Sequence, residues 1–242
     1  VQSSYIDILG ASLILFTCIW RDFLGTVYYK GEMLFGTPLV QLHDYVMQGA
    51  YPLGVMSTIG AVFSLLSTRL IGKQNNWGNF IGVLTTINSG INDYLFGNKS
   101  AIITYPITFV VNTYATYNWY KGEKIRKIDA VYFIIIGSTI VIAYLLVYLG
   151  FQIFGGLDSL LFFHTVAITF GLSLGANAVS SLKYEETWMS WFIYNLVQLI
   201  KNMIQQNIAN VAKYCFYLIN SVITLFDWKI NGDVLKPEKT QV

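Results

Sequence analysis

The sequence predicts an all-α integral membrane protein, with seven transmembrane helices in a 3+1+3 parallel-repeat arrangement and an interfacial or extra helix at the N-terminus. Three observations predict it. Charge is scarce: 15 basic and 13 acidic residues among 242 make 12% of the chain, about half the usual share for soluble domains, while 55% is hydrophobic and mean hydropathy is +0.53. The apolar residues gather in membrane-length runs. A polar and aromatic signature then returns in two of those runs. So little charge cannot cover a soluble surface of this size, which excludes a soluble enzyme, a disordered chain and a nucleic-acid binder. The net charge of +2 implies no polyanionic partner.

A helix needs about 20 apolar residues to cross a bilayer. The qualifying segments are 51–71, 76–96, 100–120, 129–150, 157–182, 187–206 and 207–229. The run 129–150 is uncharged after Asp129 and is the cleanest. Segments 76–96 and 187–206 carry many Asn, Gln, Thr and Trp residues, so each must hide a polar face from lipid. Residues 5–20 are apolar apart from Asp7 but short, which favours an interfacial helix over an eighth span. No basic stretch precedes them and no small-residue cleavage site follows, so they do not read as a signal peptide. Cys18 and Cys215 lack metal or disulfide spacing and read as small buried hydrophobes.

Basic residues orient the spans. Arg69, Lys73, Lys121, Lys124, Arg126, Lys127, Lys183, Lys229, Lys236 and Lys239 fall on one side, and the other connections hold only Lys99, Lys201 and Lys213. The bias places the C-terminus in the cytoplasm. The third and seventh spans share a pattern at an offset of 108, where Asn112 meets Asn220, Thr116 meets Thr224 and Lys121 meets Lys229. The second and sixth spans match at 111, Trp77 meeting Trp188, which implies a small indel. The predicted divisions are an N-terminal interfacial region (1–50), a first repeat (51–121), a linker helix (122–156), a second repeat (157–229) and a cytoplasmic tail (230–242). One span between two three-helix units sends both units into the membrane in the same direction, an arrangement used by transporters with a site between the repeats.

Trp188, Trp191, Asn195, Gln198 and Asn202 recur at helical spacing and share one face. Asn210, Tyr214, Tyr217, Asn220, Thr224 and Trp228 do so on the last span. Tyr105, Phe109, Asn112 and Trp119 follow on the third, and Asn88 and Asn92 on the second. Amides glue helices together and Trp and Tyr mark lipid interfaces, and Trp77, Trp119, Trp188 and Trp228 near span ends fit that belt. A whole stripe of buried amides wants more partners than helix packing supplies, so a flat, polar ligand is favoured; a cationic ring would gain a cation–π attraction. Ionisable residues deep in a span are scarce. Asp93 and Asp158 fall near outer ends, and His164 is either a gating residue or, more in keeping with its surroundings, a packing histidine. With no buried acid expected, the sequence points to facilitated diffusion rather than ion coupling, and to no metal or cofactor.

The run Trp188-x-x-Trp191-x-x-x-Asn195, followed by Tyr217, Leu218 and Asn220 and ending in Phe226, Trp228 and Lys229, resembles PnuC, the bacterial nicotinamide riboside transporters, over residues 51–229. The first half departs, with Leu84 where the repeat mate has Asn195. The resemblance implies a fold like full-length SWEET sugar transporters, residence in the bacterial inner membrane, a homotrimer, and energy-independent uptake of nicotinamide riboside trapped by a cytoplasmic nicotinamide riboside kinase. On that reading Trp188 and Trp191 stack the pyridine ring, Asn195, Gln198 and Asn220 bind the ribose or carboxamide, Tyr217 completes the cage, and Asn88 and Asn112 are the first-half counterparts. Thiamine or riboflavin is the alternative cargo. A photoreceptor needs a mid-membrane lysine in the last helix facing a carboxylate, and Lys213 sits too near the start of its span. A membrane enzyme would need an acid/base pair, metal cluster or activated nucleophile, and the sequence offers none.

Overall fold

The computed structural model describes residues 4–73, 75–119, 126–156, 159–184 and 186–231. The side chain of Trp119, with Lys121, Lys124, Asp158, Lys236 and Lys239, lies outside the described residues.

The chain opens with α1 (Ser4–Trp20), a short hairpin of β1 (Val27–Tyr29) and β2 (Glu32–Leu34), and α2 (Leu39–Met47). Seven long helices follow: α3 (Leu53–Gly72), α4 (Trp77–Leu95), α5 (Ala101–Trp119), α6 (Ala130–Phe154), α7 (Leu160–Ser181), α8 (Thr187–Ile204) and α9 (Ile208–Asn231). These are the seven apolar segments of the sequence. Their starts have local causes. The Asp129 carboxylate accepts the Tyr132 amide ahead of α6, and the Ser159 hydroxyl accepts the Phe162 amide ahead of α7, each satisfying an orphan donor of the first turn. Pro52 precedes α3, where its missing N–H costs nothing.

Among the described residues, α3, α6, α7 and the Ile208–Ile230 part of α9 are long and apolar enough to cross a bilayer. Only 17% of the α6 window is buried inside the protein, leaving most of its surface to lipid. The polar residues of α4, α5 and α8 lower their hydropathy, and many of them line an internal cavity.

Neighbour contacts run α3–α4–α5–α7–α8–α9 and back to α3, a ring in which α4 and α8 stand on opposite sides. Helix α6 packs outside on α7 and α5, as α1 does on α3 and α9. Gly171 and Gly175 let α6 approach closely: a Cβ at Gly171 would sit 2.7 Å from the Ile140 backbone. Helices α3 and α9 run parallel, Ser57 bonding Asn207 at one end and Trp228 Nε1 bonding the Gly72 carbonyl at the other.

Turn-closing backbone bonds recur at a single offset of 109 residues. Asn75 N–H to Leu70 C=O returns as Tyr184 to Val179, Gly78 to Asn75 as Thr187 to Tyr184, and Asn98 to Asp93 as Asn207 to Asn202. Side chains follow with donor and acceptor exchanged. Ser67 donates to the Gly78 carbonyl, whereas Thr187 donates to the Ala176 carbonyl. This sets the register at 109 from residue 67 to residue 98, in place of the 111 read there from the sequence. Thr86, not Leu84, is then the counterpart of Asn195.

Helix α1 packs lengthwise against the bundle. It lies antiparallel along α3: Asp7 bonds Arg69 and Lys73, Gly10 meets Leu65, and the Thr26 carbonyl beyond it accepts the Gly54 amide. Its 17 residues rise about 26 Å. Its one acid, Asp7, is neutralised there by two cations.

Candidate functional site

The ring encloses a cavity of about 1190 Å³ of atom-free space, counting its mouth. Two facing walls form it. On α8 stand Trp188, Trp191, Tyr194, Asn195 and Gln198; on α4, at the positions 109 residues earlier, stand Asn79, Gly82, Thr85, Thr86 and Ser89. The same backbone thus presents large aromatic and amide groups on one side and small polar ones on the other. The small wall makes the room. Tyr105 and Tyr214, also 109 apart, line it from α5 and α9.

Six of the eight residues singled out in the sequence line this cavity: Trp188, Trp191, Asn195, Gln198, Tyr217 and Asn112. Trp191 packs edge-on to Tyr194 with centroids 5.1 Å apart, and Tyr194, Tyr214 and Tyr217 continue the aromatic surface. Trp188 packs perpendicular to Trp228 at 5.6 Å; both are 2% exposed, so neither is the lipid-interface residue its place near a span end suggested. Asn195 donates to Ser221 (2.9 Å) and Asn112 to Thr86 (2.9 Å), and the carbonyl oxygen of each amide has no partner among the described residues. Trp188 Nε1 also lacks one. Gln198 donates to the Tyr194 hydroxyl and accepts from Asn202, and the Tyr217 hydroxyl donates to Ser64. Buried amide oxygens without a partner are acceptors suited to ligand hydroxyls or amide protons.

Asn88 and Asn220 do not line the cavity. Asn88 donates to the Met56 carbonyl and holds α4 to α3. Asn220 accepts from Arg69 Nη1 at 2.7 Å, and Arg69 in turn holds Asp7, so Asn220 belongs to the α1–α3–α9 junction. Nor does His164 reach the cavity; its Nδ1 meets the Tyr144 hydroxyl at 3.1 Å between α7 and α6. Cys18 is buried, as expected, but Cys215 is exposed on α9.

The expectation of no buried acid does not hold. Asp93 and Lys201 form an ion pair at 2.9 Å with side chains 7% and 4% exposed. The same carboxylate accepts from Gln205 (2.8 Å), Asn98 (2.6 Å) and Tyr105 (3.2 Å). Lys201 comes from α8 and Gln205 directly follows it, so this cluster joins α8 to α4 at one end of the cavity. Each residue sits near the end of its helix in the sequence, which made it look like a surface charge. Asp93 lies about 100° or more around α4 from Asn92 and Asn88, off the polar face identified in the sequence, so no local signal pointed to the pair. Lys213, on the first turns of α9, completes the charged lining.

Comparison with known proteins places the chain. The sequence profile described as nicotinamide mononucleotide transporter matches residues 54–230. A crystal structure of the vitamin B3 transporter PnuC is similar at a TM-score of 0.61 and 18% identity, over 89% of this chain and 91% of that one. No curated protein sequence matches.

Proposed function

This chain belongs to the nicotinamide mononucleotide transporter family, and from that premise we propose that it carries nicotinamide riboside across a membrane by facilitated diffusion. The chain is a multi-pass membrane transporter, not an enzyme. The observation that carries the choice of cargo is the asymmetric cavity: an aromatic and amide wall on α8 faces a small polar wall on α4, leaving a slot for a flat ring. Trp191, backed by Tyr194, offers the ring face. Asn195, Gln198 and Asn112 offer amides to the ribose or carboxamide, and Trp188 and Tyr217 close the slot. A pyridinium ring gains cation–π attraction there. Asn88 and Asn220 are assigned to helix packing instead.

The spans are read as parallel repeats, α3–α5 and α7–α9, with α6 between them as in full-length SWEET carriers, and the bond pattern recurring at 109 residues supports that reading. Substrate passage then rocks one repeat against the other, alternately opening the two ends. An uncoupled mechanism no longer rests on a lack of buried acid. It rests on Asp93 being saturated by four neighbours, whereas a coupling carboxylate must be free to take up and release its ion. Residence in the bacterial inner membrane with a cytoplasmic C-terminus, assembly as a homotrimer, and trapping by a cytoplasmic kinase complete the proposal.

Titration of the purified protein with nicotinamide riboside, followed by tryptophan fluorescence with thiamine and riboflavin as controls, tests it. The expected result is a saturable response to the riboside alone. A thiamine or riboflavin response without one to the riboside overturns it in favour of the related-vitamin reading. The photoreceptor reading falls to the family assignment rather than to a missing counter-ion.

A further inference from the structure

Helix α1 rides on α3 and α9 as α6 rides on α7 and α5, yet the two outer helices join the ring by very different connections. Residues 155–159 carry α6 into α7, whereas α1 reaches α3 through residues 21–52. Joining two helices does not demand so long a segment, and its structure points to another use. The Phe23–Gly25 turn and the β1–β2 hairpin are tied to the start of α3: the Thr26 carbonyl accepts the Gly54 amide at 2.8 Å, and Tyr28 and Tyr51 exchange backbone bonds at 2.9 Å. Thr37 donates to the Gly25 carbonyl, and α2 starts two residues on, at Leu39. Helix α2 is therefore held at the level where α1 ends and α3 begins, the membrane boundary of the bundle.

The hairpin grips one side of α2. Tyr45 packs edge-on to Tyr29 at 5.7 Å, and the Tyr29 hydroxyl donates to Gln48. No residue of α2 is buried. At about 100° per residue, Leu39, Val40, Val46 and Met47 fall together within about 120° of the helix circumference, with His43 among them, while Gln41, Asp44 and Gln48 fall on the other side. The apolar arc points away from the hairpin, and Val40 and Met47 are 84% and 73% exposed. A contiguous apolar surface of this kind marks a contact with something other than water. The exposed face of α1 ends at the same level in Phe16, Ile19 and Trp20, followed by an exposed Arg21, which is how a lipid-facing helix meets headgroups.

We propose that α2 is an interfacial anchor that lies in the plane of the outer leaflet. Leu39, Val40, Val46 and Met47 sit at the boundary between headgroups and acyl chains, Gln41 and Asp44 face water, and Arg21 stands beside the lipid phosphates. A helix with its charge on one face and its apolar residues on the other suits that plane. His43 fits the arc because the polar tip of an imidazole stays among the headgroups while its ring body meets apolar neighbours. Lipid is chosen over a protein partner because the arc lies at the level where the lipid-facing surface of α1 ends. The hairpin then holds the start of α3, and with it the first repeat, at a set height in the bilayer. Helix α2 lines no part of the cavity, so the anchor stands apart from the choice of cargo.

The test puts an environment-sensitive fluorophore on single cysteines of the full chain in liposomes of phosphatidylethanolamine and phosphatidylglycerol. The positions are Val40→Cys, Met47→Cys, Gln41→Cys and Asp44→Cys, each with Cys215→Ser, since Cys215 is exposed and Cys18 is buried. Quenching by lipid carrying a nitroxide near its headgroup is compared with quenching by iodide present on both sides of the membrane. Nitroxide lipid is expected to quench the labels at 40 and 47 about threefold or more above those at 41 and 44, with the iodide order reversed. Adding Val40→Asp to the Met47→Cys protein is expected to remove most of the lipid quenching at an unchanged melting temperature. Equal iodide quenching at all four positions overturns the proposal, because α2 then stands in water. Labels at 40 and 47 that neither quencher reaches overturn it in favour of protein cover, by a second copy of the chain or by the bundle itself. Lipid quenching that survives Val40→Asp overturns the apolar arc as its cause.

Discussion

Replacing Lys201 with Met removes one partner of the buried pair that joins α4 to α8. The two charges sit 2.9 Å apart, with side chains only 4% and 7% exposed. At an effective dielectric constant of about 20, Coulomb's law gives an attraction on the order of 6 kcal/mol at that separation. The variant also escapes the cost of burying the ammonium, and Gln205, Asn98 and Tyr105 still donate to the stranded Asp93 carboxylate. The net loss of stability is therefore expected at about 3–5 kcal/mol, the range for breaking a buried pair from one side. Asp93→Asn is expected to cost at least as much, because it strands the Lys201 ammonium and loses the strong acceptor of Gln205, Asn98 and Tyr105. The double variant Asp93→Asn/Lys201→Met leaves neither charge of the pair and is expected to recover much of the loss. The assay is denaturant unfolding in a fixed detergent, run as a double-mutant cycle. Losses below about 1 kcal/mol for both single variants, or a double variant that equals their sum, would refute the reasoning, since uncoupled charges of that kind belong at a wetted surface.

Three other outcomes are expected. Asn220→Ala should lower unfolding stability by about 1.5–3 kcal/mol, the value of a hydrogen bond to a charged group, because it removes the acceptor of the Arg69 Nη1 bond; a loss of ligand affinity at unchanged stability would return Asn220 to the binding site. Ser89→Leu should weaken ligand binding by tenfold or more while the protein still folds, since it fills the small-residue wall; unchanged affinity in the fluorescence titration would place the ligand elsewhere. The Tyr132 amide, with help from the Tyr184 hydroxyl, holds the Asp129 carboxyl below the usual carboxylate range. That contribution is complete above the unfolded-state value and fades as pH falls through the folded one, so Asp129→Asn should flatten the acid limb of a stability–pH profile, and an unaltered limb would contradict it.

Much of the fold was legible because membrane helices announce themselves by length and hydropathy. All seven long helices fall where the apolar runs lie, since a helix in lipid must satisfy its own backbone. The face carrying Trp188, Trp191, Asn195 and Gln198 was legible too, because helical period alone puts those side chains on one side. Less legible was what each face meets. Asn88 and Asn220 carry the same chemistry at similar spacing, yet one binds the Met56 carbonyl and the other Arg69. Matching residue types gave an offset of 111 between the second and sixth spans, whereas the backbone bonds from residue 70 to residue 98 return at 109. Types can drift while the turns that join the helices keep their geometry.

The sequence by itself determined that this is a membrane protein of long helices with an amide and aromatic stripe, because hydropathy and helical period are local properties of the chain. Only the tertiary structure decided that Asp7 is half-buried against Arg69 and Lys73, that Asp93 finds Lys201, and that Lys213 is left facing the cavity. Whether a charge is silent, structural or available to a ligand depends on which other helix brings a partner to it. That pairing joins residues 62 to 108 positions apart and leaves no trace in the local pattern.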